Sequence, residues 1–376
     1  SNQKVFWEQE CDRLAAEIVA SQLESGGFDI GYDFRFGNGL SKSNKREGTS
    51  PELLSIVALN LYLLKEPRHA SQNLKEKSID AVLKGVRWLQ DHLKETDQGV
   101  AIPYAPETSP FVHIPNATSF ALCALATSIH HPELVRERDK LTETVKRMYH
   151  FMEAQLEPSG RGEGAYWPYF FQTQNEQERR LGNDKIDNYH LAQQLFFHCL
   201  SQEYVPHQSN LRIIQATTQY LISLVSSDGW VPYQFSQGKA SEKVDTWGFS
   251  SVPMALMAAS KYVDDPSLEK AIKKTTAFLL GHCKGKEHFF PIILWGDGKV
   301  FDKNFYPRSD AWVIHSCSEI SHLLQKDELD YCDSIYLRIR DAEFTGKENH
   351  TLTTRKRVFG ALVTLVRQLK QSTVIK

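Results

Sequence analysis

Four polar residues in a row, Asp187, Asn188, Tyr189 and His190, open the otherwise apolar run "LAQQLFFHCL". A carboxylate, an amide, a phenol and an imidazole give and take protons or hydrogen-bond hydroxyls, so the stretch is suited to acid/base chemistry. Asp245 and Asp310 stand at the corresponding starts of two later runs, "DTWGFSSVPMALMAAS" and "SDAWVIHSCSEISHLL". Asp187, Asp245, Asp310, Tyr189 and His190 are therefore the candidate catalytic groups. Carboxylates on neighbouring elements can face each other at the roughly 5–10 Å used by paired acids on sugars. Glu47, Tyr104, His113, Asn116, Trp167, Asn188, Trp230, Trp247 and Trp312 are the candidate substrate-binding residues, since aromatic faces suit pyranose rings and amides suit their hydroxyls. Basic residues precede several of the same runs, among them Lys185, Lys243, Arg308 and Arg355. Arg308 and Arg355 are added to the binding set as partners for an anionic sugar.

Each of these residues also has a plainer use. An aspartate before a helix is a favoured N-cap whether or not it does chemistry. Tyr189, His190 and His113 can be hydrogen-bonded wall residues, and His198 and His315, farther along their runs, suit the core. Trp167 and Trp230 can be plugs between elements as well as sugar platforms. The lysines and arginines can be solvated loop charge.

The elements that must position these groups repeat along the chain. Six stretches resemble one another, beginning at Glu47, Pro115, Asp187, Asp245, Ser309 and Arg355. Each opens with a small or charged residue and continues apolar nearly all round, as a helix enclosed by others does. Before most of them lies an amphipathic helix, clearest over Ser78 to Leu93, where Ile79, Val82, Leu83, Val86, Leu89 and Leu93 recur at helical spacing. Glycine- and aromatic-rich loops such as "TDQGVAIPYAP" and "SSDGWVPYQF" join the two kinds, with strands short at most. Alternating outer and inner helices predict an all-α fold, an α/α toroid of about six helical hairpins filling residues 1–376 as a single domain. Its first helix is expected over Lys4 to Gln22 and its last over Arg355 to Gln371. If outer helices run one way and inner helices return, every inner N-terminus and every aromatic loop lies at one mouth. A ring of helix N-termini there favours anionic groups, which makes an acidic saccharide one expected ligand.

Composition narrows the classes of partner. The 44 Lys and Arg nearly balance the 46 Asp and Glu, which argues against a nucleic-acid binder. The six cysteines are scattered with no CxxC pair, which reads as buried thiols and slightly favours the cytoplasm. No apolar run is long enough to span a membrane, and residues 1–25 lack a signal-peptide core, although the opening Ser1 and Asn2 read as the remnant of a cleaved tag. The compartment and the oligomeric state stay open. HExxH, P-loop, GxSxG and dinucleotide-binding patterns are absent, so neither a metal nor any other cofactor is expected.

The succession "IPYAPETSPFVHIPNATSFALCALA", "KIDNYHLAQQLFFHCL" and "DGWVPYQF" with "VDTWGFSSVPMALMA" resembles a group of bacterial α/α-toroid proteins associated with polysaccharide biosynthesis or processing, within the six-hairpin glycosidase and polysaccharide-lyase superfold. The similarity spans roughly residues 80–320, and its most specific pieces are "VHIPNA" and "IDNYH". It implies a carbohydrate context and a fold more than a reaction. The resulting expectation is an enzyme acting on an oligo- or polysaccharide by hydrolysis, elimination or epimerisation. An isoprenoid cyclase or prenyltransferase would use the same aromatic cavity, but neither a DxDD acid motif nor the expected zinc set occurs. A noncatalytic binding or effector toroid is the third alternative.

Overall fold

The computed structural model of the chain describes residues 2–29, 34–36, 41–43, 48–65, 67, 70–106, 113–160, 163–169, 185–236, 238–295 and 299–341. Over these residues it is an α/α toroid. The inner helices are α2 (Leu54–Leu64), α4 (Pro115–Ser128), α6 (Asn188–Tyr204), the short α8 (Thr246–Phe249) running into α9 (Ser251–Ala259), and α11 (Pro307–Glu319). The outer helices are α1 (Asn2–Ser21), α3 (Gln72–His92), α5 (Arg138–Ala154), α7 (Gln208–Leu224), α10 (Pro266–His282) and α12 (Lys326–Asp341). The expected helix from Arg355 and the residue Glu47 lie outside the described residues.

Burial separates the two kinds as their sequences predict. Every residue of α4 is buried, because α4 packs on α2 and α6 within the ring and on α3 and α5 outside it. The outer helix α3 instead buries one stripe, Ser78, Ala81, Val82, Gly85, Val86, Trp88 and Leu89. It starts six residues before the expected Ser78, because Ser71 supplies the cap by accepting from the Leu74 amide at 3.2 Å. Its stripe is also rotated: Ile79 and Leu83 are only half-buried, while Gly85 faces Ile56 of α2 where a Cβ would clash. A small residue there lets the two layers approach.

Inner neighbours pack in the order α2, α4, α6, α9, α11. The outer layer joins α12 to α1, where the Tyr336 hydroxyl donates to Glu10 Oε2 at 2.7 Å and packs its ring on Trp7 at 4.9 Å. Aromatic side chains close the centre: Phe120 meets Phe197 at 5.0 Å, and Phe196 on α6 reaches His315 on α11 at 5.5 Å. Truncating one such buried phenylalanine to alanine costs about 3–5 kcal/mol. All six cysteines are buried thiols.

The glycine-rich loops bind each hairpin to the next. Gly229 has φ 92, and a Cβ there would strike the carbonyl of Lys274 on the following outer helix; Gly164, also φ 92, stands in the same relation to Ala216 and Tyr220 on α7. A left-handed backbone in direct contact with a helix accepts glycine alone. The strands are two or three residues long. They include β1 (Phe34–Phe36) with β2 (Ser41–Ser43), β3 (Lys94–Thr96) with β4 (Gly99–Ala101), and β5 (Glu157–Pro158) with β6 (Ala165–Tyr166). Two three-stranded sheets matter most for the site. In one, β8 (Gln234–Ser236) lies between β7 (Lys185–Asp187) and β9 (Lys239–Ala240); in the other, β11 (Ile292–Leu294) lies between β10 (Lys243–Asp245) and β12 (Val300–Asp302).

Candidate functional site

A repeated backbone device sets the starts of the inner helices. The amide of Asn188 donates to the Tyr233 carbonyl at 2.9 Å, and its side chain to the Pro232 carbonyl at 2.8 Å. Thr246 makes the same pair of bonds to Pro291 and Phe290, and Ser50 to Tyr104 and Pro103. Each of these residues thereby fastens its helix start to two consecutive carbonyls of the next aromatic loop. Asn188 is fully buried and also accepts from the Tyr220 hydroxyl at 3.0 Å, so its side chain is wholly engaged in the scaffold. The residue before each fastener, Thr49, Asp187 or Asp245, is then carried to the same level of the ring.

Asp187 ends β7 opposite Gln234 and caps α6, with Oδ1 accepting from the His190 amide at 3.1 Å. Its Oδ2 lies 2.9 Å from His190 Nδ1 and 3.5 Å from Lys185 Nζ. Burial works to raise this carboxyl, but His190, Lys185 and the backbone amide outweigh it and hold it below the usual carboxylate range. The Asp187 side chain is only 3% exposed, whereas that of His190 is 22% exposed, so of the two only the imidazole can meet a ligand. The His190 ring sits edge-on to Tyr169 at 6.2 Å and to Trp247 at 5.7 Å. Lys185 Nζ lies over the Tyr169 ring at 4.2 Å and the Tyr233 ring at 5.8 Å. Tyr169 in turn shares Ile114 with Tyr104, which brings the loops before α4 and α6 to one rim.

Asp245 ends β10 opposite Ile292 and pairs with Lys243 Nζ at 3.1 Å. Its side chain makes no cap bond. Burial pushes its carboxyl above the usual range; Lys243 pulls it down, and the charge of Asp187 adds to the rise. Burial, then the charges of Asp187 and Asp245, push the Tyr233 hydroxyl up as well, so it stays a proton-bearing donor between the two carboxyls.

The structure thus brings together Asp187, His190, Asp245 and Trp247, with Tyr104 at the neighbouring rim. Others lie apart from the cluster. The Tyr189 ring is fully buried and its hydroxyl donates to the Val231 carbonyl at 3.1 Å. Asp310 is buried and accepts from the Phe289 amide at 2.9 Å; burial pushes it up to about 7, partly offset by that amide and by Arg338. Its contacts belong to the loop below α10 and to Tyr331 on α12. Trp167 donates to the Met152 carbonyl at 2.8 Å and stacks on His198, making it a plug. Trp312 donates to Ser251 Oγ at 2.6 Å, joining α11 to α9. Trp230 stacks on Trp295 at 5.4 Å and 18°. His113 packs on Phe151, and Asn116 is buried at the start of α4. Arg308 is exposed on the first turn of α11, and Glu47 and Arg355 fall outside the described residues. His198, bonded to Asn210 Oδ1 at 2.6 Å and Ser119 Oγ at 3.2 Å, is pushed down to about 4 by burial and is a neutral core histidine. The sequence marks Tyr169 only as one of the aromatics around the mouth and Lys185 only as one of the basic residues ahead of the inner helices, although "KID" and "KVD", each ahead of an inner helix, carry the pattern that singles out the lysines. Among the described residues, no three His, Cys, Asp or Glu side chains converge as a metal site needs, and no helix is long and apolar enough to cross a membrane.

No protein-family model and no curated protein sequence matches the chain. Solved structures do. A D-mannose isomerase superposes with a TM-score of 0.68 at 11% identity, covering 96% of this chain and 97% of its own. A sugar epimerase from a ruminal bacterium gives 0.68 at 10% identity, covering 95% and 98%. An inactive variant of the α-1,6-mannanase of Salegentibacter sp., a family-76 glycoside hydrolase in complex with α-1,6-mannotetrose, gives 0.60 at 11% identity, covering 96% and 99%. At these identities the likeness is one of fold: over its described residues the chain has the α/α toroid of these structures.

Proposed function

We propose that the chain is a carbohydrate-active enzyme that isomerises or epimerises a sugar by proton transfer, with His190 as the acid/base and Asp187 as the carboxylate that orients it. The observation that carries this reading is the Asp187–His190 contact at 2.9 Å, with the carboxylate sealed and the imidazole partly exposed. A ring whose Nδ1 lies beside a carboxylate, at ion-pair distance but without the alignment of a hydrogen bond, leaves Nε2 for a substrate, and the carboxylate stabilises the imidazolium formed when a carbon-bound proton is taken. Asp245, with its raised carboxyl, is the complementary acid for the carbonyl oxygen of an open-chain sugar. Returning the proton to the neighbouring carbon, while the adjacent hydroxyl gives its own proton back to the Asp245 carboxylate, gives the isomer; protonation of the original carbon on its other face, by a donor other than His190, gives the epimer. Trp247 and Tyr169 flank the imidazole as walls of a slot for one sugar. The isomerase and epimerase of the same fold supply the context.

Lys185 and Lys243 are each paired with their own aspartate, which supports an uncharged sugar in preference to a uronate. Hydrolysis is the second reading. It is favoured by one observation, that Asp187 is held low while Asp245 is pushed up, the separation that assigns base and acid in a carboxylate pair. The burial of Asp187 behind His190 weighs against its reaching a sugar carbon. Incubation with mannose, glucose and α-1,6-manno-oligosaccharides in deuterated water distinguishes the readings. Deuterium entering at C2, seen by proton NMR, is the expected result. New reducing ends without exchange would replace it with hydrolysis, and neither outcome across these sugars would overturn both.

A further inference from the structure

Resting on that reading, we infer that Lys185 is a positioning residue: its ammonium shares the Asp187 carboxylate with His190, so that the imidazole is oriented by the carboxylate without being locked to it as a full ion pair. Three contacts carry this. Lys185 Nζ is 3.5 Å from Asp187 Oδ2, the same oxygen that lies 2.9 Å from His190 Nδ1. The ammonium is also held over Tyr169 at 4.2 Å and reaches Tyr233 at 5.8 Å, so the lysine is braced by two aromatic faces. Tyr169 is itself one of the two rings that flank His190. Lysine and imidazole thus meet at one carboxylate, with the Tyr169 ring against both.

A buried carboxylate facing a single imidazole draws a proton onto that ring and keeps it there, because the charged pair is the best partner either group has. A ring that must take a proton from carbon and return it works best when neither form is strongly favoured. A second cation on the same oxygen divides the carboxylate's charge. Tyr169 lies edge-on to the imidazole; Tyr233 and Asp245 act on the Asp187 carboxylate, and Asp245 has its own lysine in Lys243. Lys185 is therefore the cation that offsets Asp187.

The test follows the His190 ring by NMR through a pH titration in the intact chain, in the wild type, Lys185→Gln and Lys185→Arg, with no substrate present. Lys185→Gln is expected to move the titration midpoint up, because it removes a neighbouring positive charge. Lys185→Arg, which keeps the charge, is expected to stay near the wild type. An unchanged midpoint in Lys185→Gln, or an equal rise in Lys185→Arg, overturns the assignment; the arginine variant also decides the matter should the glutamine variant fold poorly. Because no sugar is used, the result stands apart from the proposed reaction. Absence of turnover with a shifted midpoint would sink the reaction and leave the positioning role. Turnover whose pH limb ignores Lys185→Gln would sink the role alone.

Discussion

Lys185-Ile186-Asp187-Asn188 and Lys243-Val244-Asp245-Thr246 occupy the same place in successive hairpins and differ in chemistry. Both begin with a lysine paired to the aspartate two residues on, both run as an edge strand beside the next loop, and both end in a residue that fastens the helix start to two carbonyls. Yet Asp187 is buried, caps its helix and is held low, whereas Asp245 makes no cap bond and is pushed up. The difference starts three residues past the aspartate. His190 stands there in the first unit and Gly248 in the second, where a Cβ would come 2.6 Å from the Tyr189 ring. Tyr189 thus fills the space that a side chain at 248 would need. The repeat delivers two carboxyls to one level of the ring, and the residue at the third position gives one an imidazole beside its lysine and leaves the other with its lysine.

The largest effect should come from removing the group that only one unit has. His190→Ala is expected to lower kcat/KM on the sugar that exchanges by about 10²–10⁴-fold while the melting temperature stays within a few degrees. Asp187→Asn separates capping from chemistry. Asparagine caps about as well as aspartate, so stability is expected to hold while turnover falls by about 10²-fold, the lower end of an acid/base contribution. Full activity in Asp187→Asn would reduce the polar helix start to capping and dissolve the contrast between the units.

Asp245 should differ in its pH signature. Its folded carboxyl is raised, so the protonated form persists to higher pH than in an ordinary aspartate and is lost as pH rises through that raised value. If it is the acid, the wild-type rate falls along this limb, and Asp245→Asn should show a rate about tenfold or more lower, with the limb gone. An Asp245→Asn profile that keeps the wild-type limb would remove Asp245 from the reaction. Gly248→Ala tests why the second unit lacks a side chain at the third position. Crowding against Tyr189 is expected to cost about 1–2 kcal/mol, read as a lower unfolding midpoint in urea with unchanged slope.

The all-round apolar character of α4 and α6 announces inner helices, and the one-sided stripe of α3 announces an outer one, because burial on one face or on all faces is written directly in residue type. The level of Asp187 and Asp245 was legible too, since each stands immediately before such a run. The division of labour within "DNYH" was not. Asn188 and Tyr189 are as polar as Asp187 and His190, and only the carbonyls of Pro232, Tyr233 and Val231, which lie far along the chain, turn them inward as fasteners. Likewise Trp167 and Trp312 look no different from Trp247 as letters. They become plug and helix tie because Met152 and Ser251 offer acceptors to their indole N–H groups. Long-range acceptors of this kind have no period in the sequence.

Effects on stability alone bear on the fasteners themselves. Thr246→Val keeps shape and removes one buried side-chain hydroxyl whose partner is the Phe290 carbonyl, so it should cost about 1 kcal/mol, the net worth of a neutral hydrogen bond. Asn188→Leu at the matching place breaks two links, to the Pro232 carbonyl and from the Tyr220 hydroxyl, and strands both partners in a buried setting. A stranded buried group loses its full solvation, so this variant should cost about 2–4 kcal/mol. The backbone bonds to Tyr233 and Pro291 survive in both, which keeps each helix start in place. Chemical denaturation of the two variants side by side checks the ratio. Equal costs would mean that Asn188 contributes no more than a helix start, and its place in the candidate site would reopen.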